Sequence, residues 1–594
     1  MKNLIGFIIL FTFLESMHSQ SISYAISFEN AAHHEADINM LFSGIRKDTL
    51  SVRMSRTSPG RYALHEFAKN VYGFKAANSQ GNELKVLRPN NHEWQIIGHD
   101  GTINISYLLF ANRADGTYSQ VDETHAHLNI PATFLYAPSL SDVPLEVTFN
   151  VRKDLNWKVA TQLPLVSGTT YAAPNLHYFM DSPTELSDFS LREFKVGSQA
   201  VRLALHNNGT EQEVDTYFEK VKKIVLAQKE VYSELPHFDY GTYTFLACYN
   251  PNVSGDGMEH RNSTVLTSTR SLAKGGMERN IGTVSHEFFH AWNVERIRPQ
   301  SLEPFDFEKA NMSGELWFAE GFTSYYTNLI LCRAGLITPQ AYVEGLIGGF
   351  NYVWNSAGRN FFNPIEMSYQ APFVDAARSV DPVNRDNTFI SYYSYGSVLG
   401  LALDLSLRQK DLNLDDYMKL VWDAFGKNEI PYTINDLHDI LNKYASKSFG
   451  DFFFNSFIYN SEMPDFNSLF ASVGIVLKQN TQQPYFGASV GISNDGKAII
   501  QRNTKMNGPA YNAGLDKGDV IASINGNGLE KGGKFDDAIQ QYKVGDILTI
   551  DFMRYGVEKT TTVILGPDPR YTITLNEEAS KEELSKRKAW LKSG

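Results

Sequence analysis

Cysteine is nearly missing from this chain: its 594 residues hold two, Cys248 and Cys332. Two are too few for a disulfide framework. Both lie in apolar runs, Phe245-Leu246-Ala247-Cys248 and Leu329-Ile330-Leu331-Cys332, where buried free thiols are expected. Long hydrophobic runs are equally scarce. The one near the start, Leu4 to Leu14, falls short of the roughly 20 residues that span a bilayer. With Lys2 before it and Ser16-Met17-His18-Ser19-Gln20 after it, it reads as a signal peptide over residues 1–19. No cysteine follows to take a lipid. The expectation is an exported bacterial protein, periplasmic or secreted, with no stable membrane insertion once the signal is removed. Positive charge is also short, with 54 Lys and Arg against 66 Asp and Glu and a net charge of −12. No basic stripe interrupts that balance, which excludes a nucleic-acid partner.

What is present is enough chain for several cores. From about 20 to 172 the pattern alternates with period two, as in Ile22-Ser23-Tyr24-Ala25-Ile26 and Ile103-Asn104-Ile105-Ser106-Tyr107. It predicts an N-terminal β-sandwich-like domain. From 173 to 478 the period lengthens. A helix over 211–235, strands at 243–249 and 263–268, and helices near 281–296, 313–334 and 392–409 predict an α+β, mostly helical catalytic domain. Residues 479–567 return to short strands and tight turns, and 568–594 form a charged tail that reads as a surface helix or disorder. The fold class is therefore multidomain α+β.

Within the middle region lies His286-Glu287-Phe288-Phe289-His290. Two histidines four apart share one helical face and can hold one ion. Two neutral imidazoles, a carboxylate and an open position suit Zn2+, one per chain. Glu287 is placed to take a proton from water rather than to bind the metal. Val284, Phe288, Phe289, Ala291 and Trp292 surround these groups, so the helix is buried and its ionisable residues need compensation. The third ligand is expected from Leu316-Trp317-Phe318-Ala319-Glu320-Gly321-Phe322, where Glu320 is an isolated carboxylate in an apolar helix. Glu315 is the alternative, explained otherwise as a first-turn residue favoured by the helix dipole.

These motifs resemble the gluzincins, metallopeptidases with two His and one Glu on zinc. The run from His286 to Pro299 and the downstream Gly508-Pro509-Ala510, Ala513-Gly514-Leu515 and Gly518-Asp519 turns are similar to the PDZ-bearing glycyl aminopeptidases, relatives of aminopeptidase N. The resemblance implies a thermolysin-like catalytic domain, a PDZ-like domain with Tyr485-Phe486-Gly487-Ala488 as its carboxylate loop, and a preference for small N-terminal residues such as Gly or Ala. It further implies that Glu259, in Gly257-Met258-Glu259-His260, binds the substrate's α-ammonium. In Ser391-Tyr392-Tyr393-Ser394-Tyr395-Gly396, Tyr393 would donate to the oxyanion, with Tyr392 and Tyr395 as alternatives. Arg296 and Arg298 either orient carboxylates behind the ligands or are solvated helix-end charges.

The function expected is thus a zinc aminopeptidase acting on peptide or protein substrates. Its PDZ-like domain would bind extended peptides or C-termini. Two alternatives stand beside it: an endopeptidase with the same metal site, and a PDZ-based peptide-binding scaffold whose metal site is vestigial.

Overall fold

The computed structural model describes residues 20–374, 381–493, 497–529 and 534–591. The expected signal peptide lies outside them. The chain divides into two compact units. The first comprises residues up to 55 together with 66–113 and 118–188; the second holds 56–65, 114–117 and everything from 189 onward. The first unit thus continues past the expected boundary at 172, because Thr184–Ser187 pairs with His125–Leu128 inside it.

The first unit is all β apart from short helical turns. Ser21–Ser27 is central to a seven-stranded sheet, antiparallel to Glu35–Ser43 and parallel to Leu145–Phe149. Its side chains alternate between buried and exposed, as expected of a strand with one face on a core. Tyr24, Phe134 and Phe179 meet inside that core at 5.2–5.4 Å between rings. A four-stranded and a three-stranded sheet complete the unit.

The second unit opens with a five-stranded sheet in the order Ser190–Val196, Gln199–Asn207, Thr242–Tyr249, Ser263–Ser268, Asp256–His260. The last of these is an antiparallel edge strand. The helix Glu211–Tyr232 packs beneath, started by a capping box in which Thr210 and Glu213 exchange hydrogen bonds. Three further helices build the site: Ile281–Phe289, Gly321–Arg333 and Tyr392–Arg408. The last two cross where Gly321 and Gly396 meet. A Cβ on Gly321 would lie 2.3 Å from the Gly396 Cα, and one on Gly396 would lie 1.8 Å from the Trp317 carbonyl oxygen. Glycine at both positions is what lets these backbones touch.

Two expected helices are shorter than their periodicity suggests. The first ends at Phe289 and turns sharply over 290–296, where Ile297 N–H reaches back to the Trp292 carbonyl. The second breaks in two, Leu316–Ala319 and Gly321–Arg333, with Glu320 at the joint.

Val490–Ile492, Ala498–Ile500, Val520–Ile524, Ile547–Arg554 and Val557–Ile564 form the PDZ-like sheet with its own apolar core. It is hung on a two-stranded ribbon, Ile475–Gln479 against Tyr571–Leu575. The expected charged tail is therefore strand and helix: Lys581–Leu591 docks on the second unit by Trp590, which is fully buried and donates to the Tyr325 hydroxyl at 2.9 Å. Among the described residues no helix is long and apolar enough to cross a membrane. Cys248 and Cys332 are buried free thiols.

Candidate metal centre and peptidase site

The first two polar residues of the site stand one helical turn apart, and Glu320 faces them from the next helix. His286 Nε2 and His290 Nε2 lie 3.2 Å apart. Glu320 Oε2 is 3.6 Å from the first and 3.2 Å from the second. Ligands about 2.0–2.1 Å from a tetrahedral zinc stand roughly 3.3 Å from one another, so the three atoms have the spacing of that ion's coordination shell.

Their protonation points the same way. His290 Nδ1 donates to the Asn293 carbonyl at 2.7 Å. His286 Nδ1 meets Thr327 Oγ1 at 3.1 Å, and that hydroxyl spends its own proton on the Thr323 carbonyl. Both imidazoles therefore turn Nε2 toward Glu320, the atom free to bind an ion once it carries no proton. Tyr62 donates to the other glutamate oxygen, Oε1, at 2.9 Å. Three such atoms aimed at one point call for positive charge between them, a proton or a metal ion. Burial opposes charge on His290, yet Glu320 and Glu259 raise it to about 10: the surroundings call for positive charge. Burial lowers His286. On Glu320 burial raises the carboxyl, but the two histidines outweigh it and hold it low. The residues present fit zinc.

Glu287 and Glu259 approach the same point. One carboxylate oxygen from each and a nitrogen of His290 lie within 4.8 Å of one another. Glu259 belongs to the edge strand and is 6% exposed, so it is a wall residue of the cleft rather than a surface-loop acid. Burial pushes the Glu287 carboxyl well above the ordinary range; His290 opposes this, and Glu259 and Glu320 add to it. Burial raises Glu259 too, with His290 again opposing and Glu320 adding. Gly257 is required here, since a Cβ would come within 2.2 Å of Glu287 Oε1. The bare strand lets the carboxylate lie against the backbone.

Of the three tyrosines, Tyr393 has its ring 6.0 Å from the His286 ring. Tyr392 is buried, stacked on Tyr393 and edge-on to Tyr62. Tyr395 is buried as well. Glu315 stands apart, at the residue before Leu316–Ala319, and accepts from Ser301 and Ser313. Arg296 also takes no part. It is 2% exposed, and its guanidinium donates to the Ala291, Arg261 and His237 carbonyls and to Asn262. Arg298 pairs with Glu303.

All six expected site residues thus converge on one cleft. Missed by sequence reasoning were Tyr62, Thr327, Asn293 and Arg61. Arg61 pairs with Asp256 and donates to Thr117 at 2.5 Å. Burial works against its charge, and Asp256, Tyr393, Asp115 and Glu259 hold it in place. Nothing in Ser58-Pro59-Gly60-Arg61-Tyr62 marks it as more than a turn.

Family models match three stretches: the peptidase M61 N-terminal domain over 23–188, M61 glycyl aminopeptidase over 279–399, and a PDZ domain over 473–565. Two of these three models, over 23–188 and 279–399, are models of M61 peptidases. The second match spans His286, Glu287, His290, Glu320 and Tyr393. No curated protein matches the chain. Among solved structures it is similar to an aminopeptidase N family protein from Idiomarina loihiensis, 24% identical with a TM-score of 0.84, over 96% of this chain and 100% of that one. That likeness carries the fold. An M1 zinc metallopeptidase from Deinococcus radiodurans is 11% identical with a TM-score of 0.44, over 75% of this chain and 94% of that one.

Proposed function

We propose that this chain is an M61 peptidase, a zinc-dependent aminopeptidase releasing small N-terminal residues such as Gly or Ala. The observation that carries the reading is Glu259: a buried carboxylate on the edge strand, beside the His286–His290–Glu320 cluster and within reach of the general-base candidate Glu287. Zinc held by that cluster supplies Lewis acidity, which lowers the pKa of water and polarises a carbonyl. Glu287 takes a proton from the attacking water and later delivers it to the leaving amine. Its raised proton affinity suits a group that must hold that proton between the two steps. Tyr393 donates to the oxyanion of the tetrahedral intermediate. Glu259 anchors the free α-ammonium and so sets the distance from chain end to scissile bond.

In the PDZ domain, Val490–Ile492 lies at the edge of the sheet and follows Tyr485-Phe486-Gly487-Ala488. An extended peptide or C-terminus adds to such an edge by backbone hydrogen bonds. We place the mature protein in the periplasm or outside the cell.

Rates on free and N-acetylated copies of one peptide test the exopeptidase reading. The acetylated copy should be inert, and equal rates would favour an endopeptidase. Metal analysis tests the cofactor: one zinc per chain is expected, and a metal-free active protein refutes the assignment.

A further inference from the structure

A cavity of about 530 Å3 opens beside the metal cluster, within the roughly 300–1,000 Å3 range of small-ligand sites. At one end it is lined by His286 and Glu287, and it continues past Gly257 and Gly255 to Arg270 and Arg279. Along the edge strand, Glu259 stands on one side of Gly257 and Gly255 on the other. If Glu259 holds the amino end of the substrate, the cavity extends from the scissile bond in the opposite direction, toward the leaving peptide.

The charge at the far end is unusual for a chain with a net charge of −12. The acid on that wall, Asp256, is taken by Arg61. Glu278, next in sequence to Arg279, is taken by Lys220 at 3.2 Å. Arg270 forms hydrogen bonds through its backbone, its N–H to Ser268 and its carbonyl to Asn280. Among the described residues, neither Arg270 nor Arg279 meets a carboxylate at salt-bridge distance. Two guanidiniums at the end of a cavity, with the nearby acids already paired, leave their charge for a ligand. A guanidinium fork matches a carboxylate.

We propose that Arg270 and Arg279 recognise a carboxylate on the leaving side of a peptide substrate. The carboxylate is supplied by the free C-terminus of such a peptide or by an Asp or Glu side chain just beyond the scissile bond. This rests on the aminopeptidase reading only for its direction along the cleft.

The test compares kcat/KM on four substrates sharing an N-terminal alanine: Ala-Ala-Ala, its C-terminal amide, Ala-Asp-Ala amide, and N-acetyl-Ala-Ala-Ala. The free acid should exceed the amide by about tenfold, equivalent to about 1.4 kcal/mol. In an Arg270→Ala/Arg279→Ala variant that ratio should fall to about one. Both residues are exposed, and an unchanged melting curve establishes that the variant is folded. If only Ala-Asp-Ala amide exceeds the plain amide in the wild type, the side chain is the source of the carboxylate, and its ratio to the plain amide is the one that should fall to about one in the variant; if only the free acid does, the C-terminus is; if both do, either supplies it. Equal rates on all three unblocked peptides overturn the proposal, and so does a free-acid preference that survives the double substitution. Undiminished cleavage of the acetylated peptide strikes the aminopeptidase reading instead, while the acid-to-amide ratio still decides the role of the two arginines.

Discussion

Two regions of this chain bury histidine beside carboxylate, and they do so to different ends. In the N-terminal unit His127 Nδ1 meets Glu185 Oε2 at 3.1 Å, both nearly fully buried, and His125 Nδ1 lies 3.4 Å from Asp122 Oδ1. In each, one ring nitrogen faces one carboxylate oxygen. In the cleft, two rings turn their Nε2 atoms toward one carboxylate whose second oxygen is already bonded to Tyr62. Composition and burial are alike. The difference is where the Nδ1 protons go: in the cleft Asn293 and Thr327 accept them, which frees both Nε2 atoms for an ion.

Substitutions should separate the two regions. The largest effect is expected from Glu287→Gln, with kcat reduced by about 10²–10⁴-fold while zinc content by mass spectrometry stays at one; retained activity would remove Glu287 as the base. Tyr393→Phe should lower kcat by about 10²–10³-fold with little change in KM. Tyr62→Phe keeps the ring and removes the hydroxyl, and should weaken zinc binding by about 10–100-fold in competition with a chelator. Glu185→Gln, in the other region, should lower the melting temperature by an amount equivalent to about 1–3 kcal/mol and leave zinc affinity as it was. Were it to shift zinc affinity as Tyr62→Phe does, the two regions would not be distinct in kind.

The smallest expected effect is one of pH. Burial opposes charge on His125, yet Asp122 and Glu185 raise its pKa. Its stabilising charge is then fully present below the unfolded value of about 6.5 and is lost as pH rises through the folded one. The melting-temperature gap between wild type and Asp122→Asn should therefore be wider near about pH 6 than near about pH 9; an even gap would mean that His125 folds neutral.

The site was legible in sequence to the extent that its signals were local. His286, Glu287 and His290 declare themselves by spacing. Glu320 declares itself as a lone charge among apolar neighbours, and Gly257 to His260 by likeness to a known segment. Tyr62 could not be read, because its partner lies 258 residues away and its own stretch has only turn chemistry. The break at Glu320 was hidden as well. The apolar period continues across it, and Glu320 itself keeps helical backbone angles. The C-terminal segment misled by averaging: eleven residues rich in Lys and Glu look like a tail, and the single Trp590 carries the docking.

The ribbon of Ile475–Gln479 and Tyr571–Leu575 makes the PDZ domain a loop excursion rather than an appendage. The chain leaves the catalytic fold, builds the PDZ domain, and returns to supply the Trp590 helix. Such a domain can be exchanged like a cassette at its two adjacent ends, whereas a stop codon placed before it would also take the strand and helix on which the peptidase closes. It is also tied to the catalytic fold away from the ribbon, where Asn387 bonds the Thr504 carbonyl and the Met506 N–H.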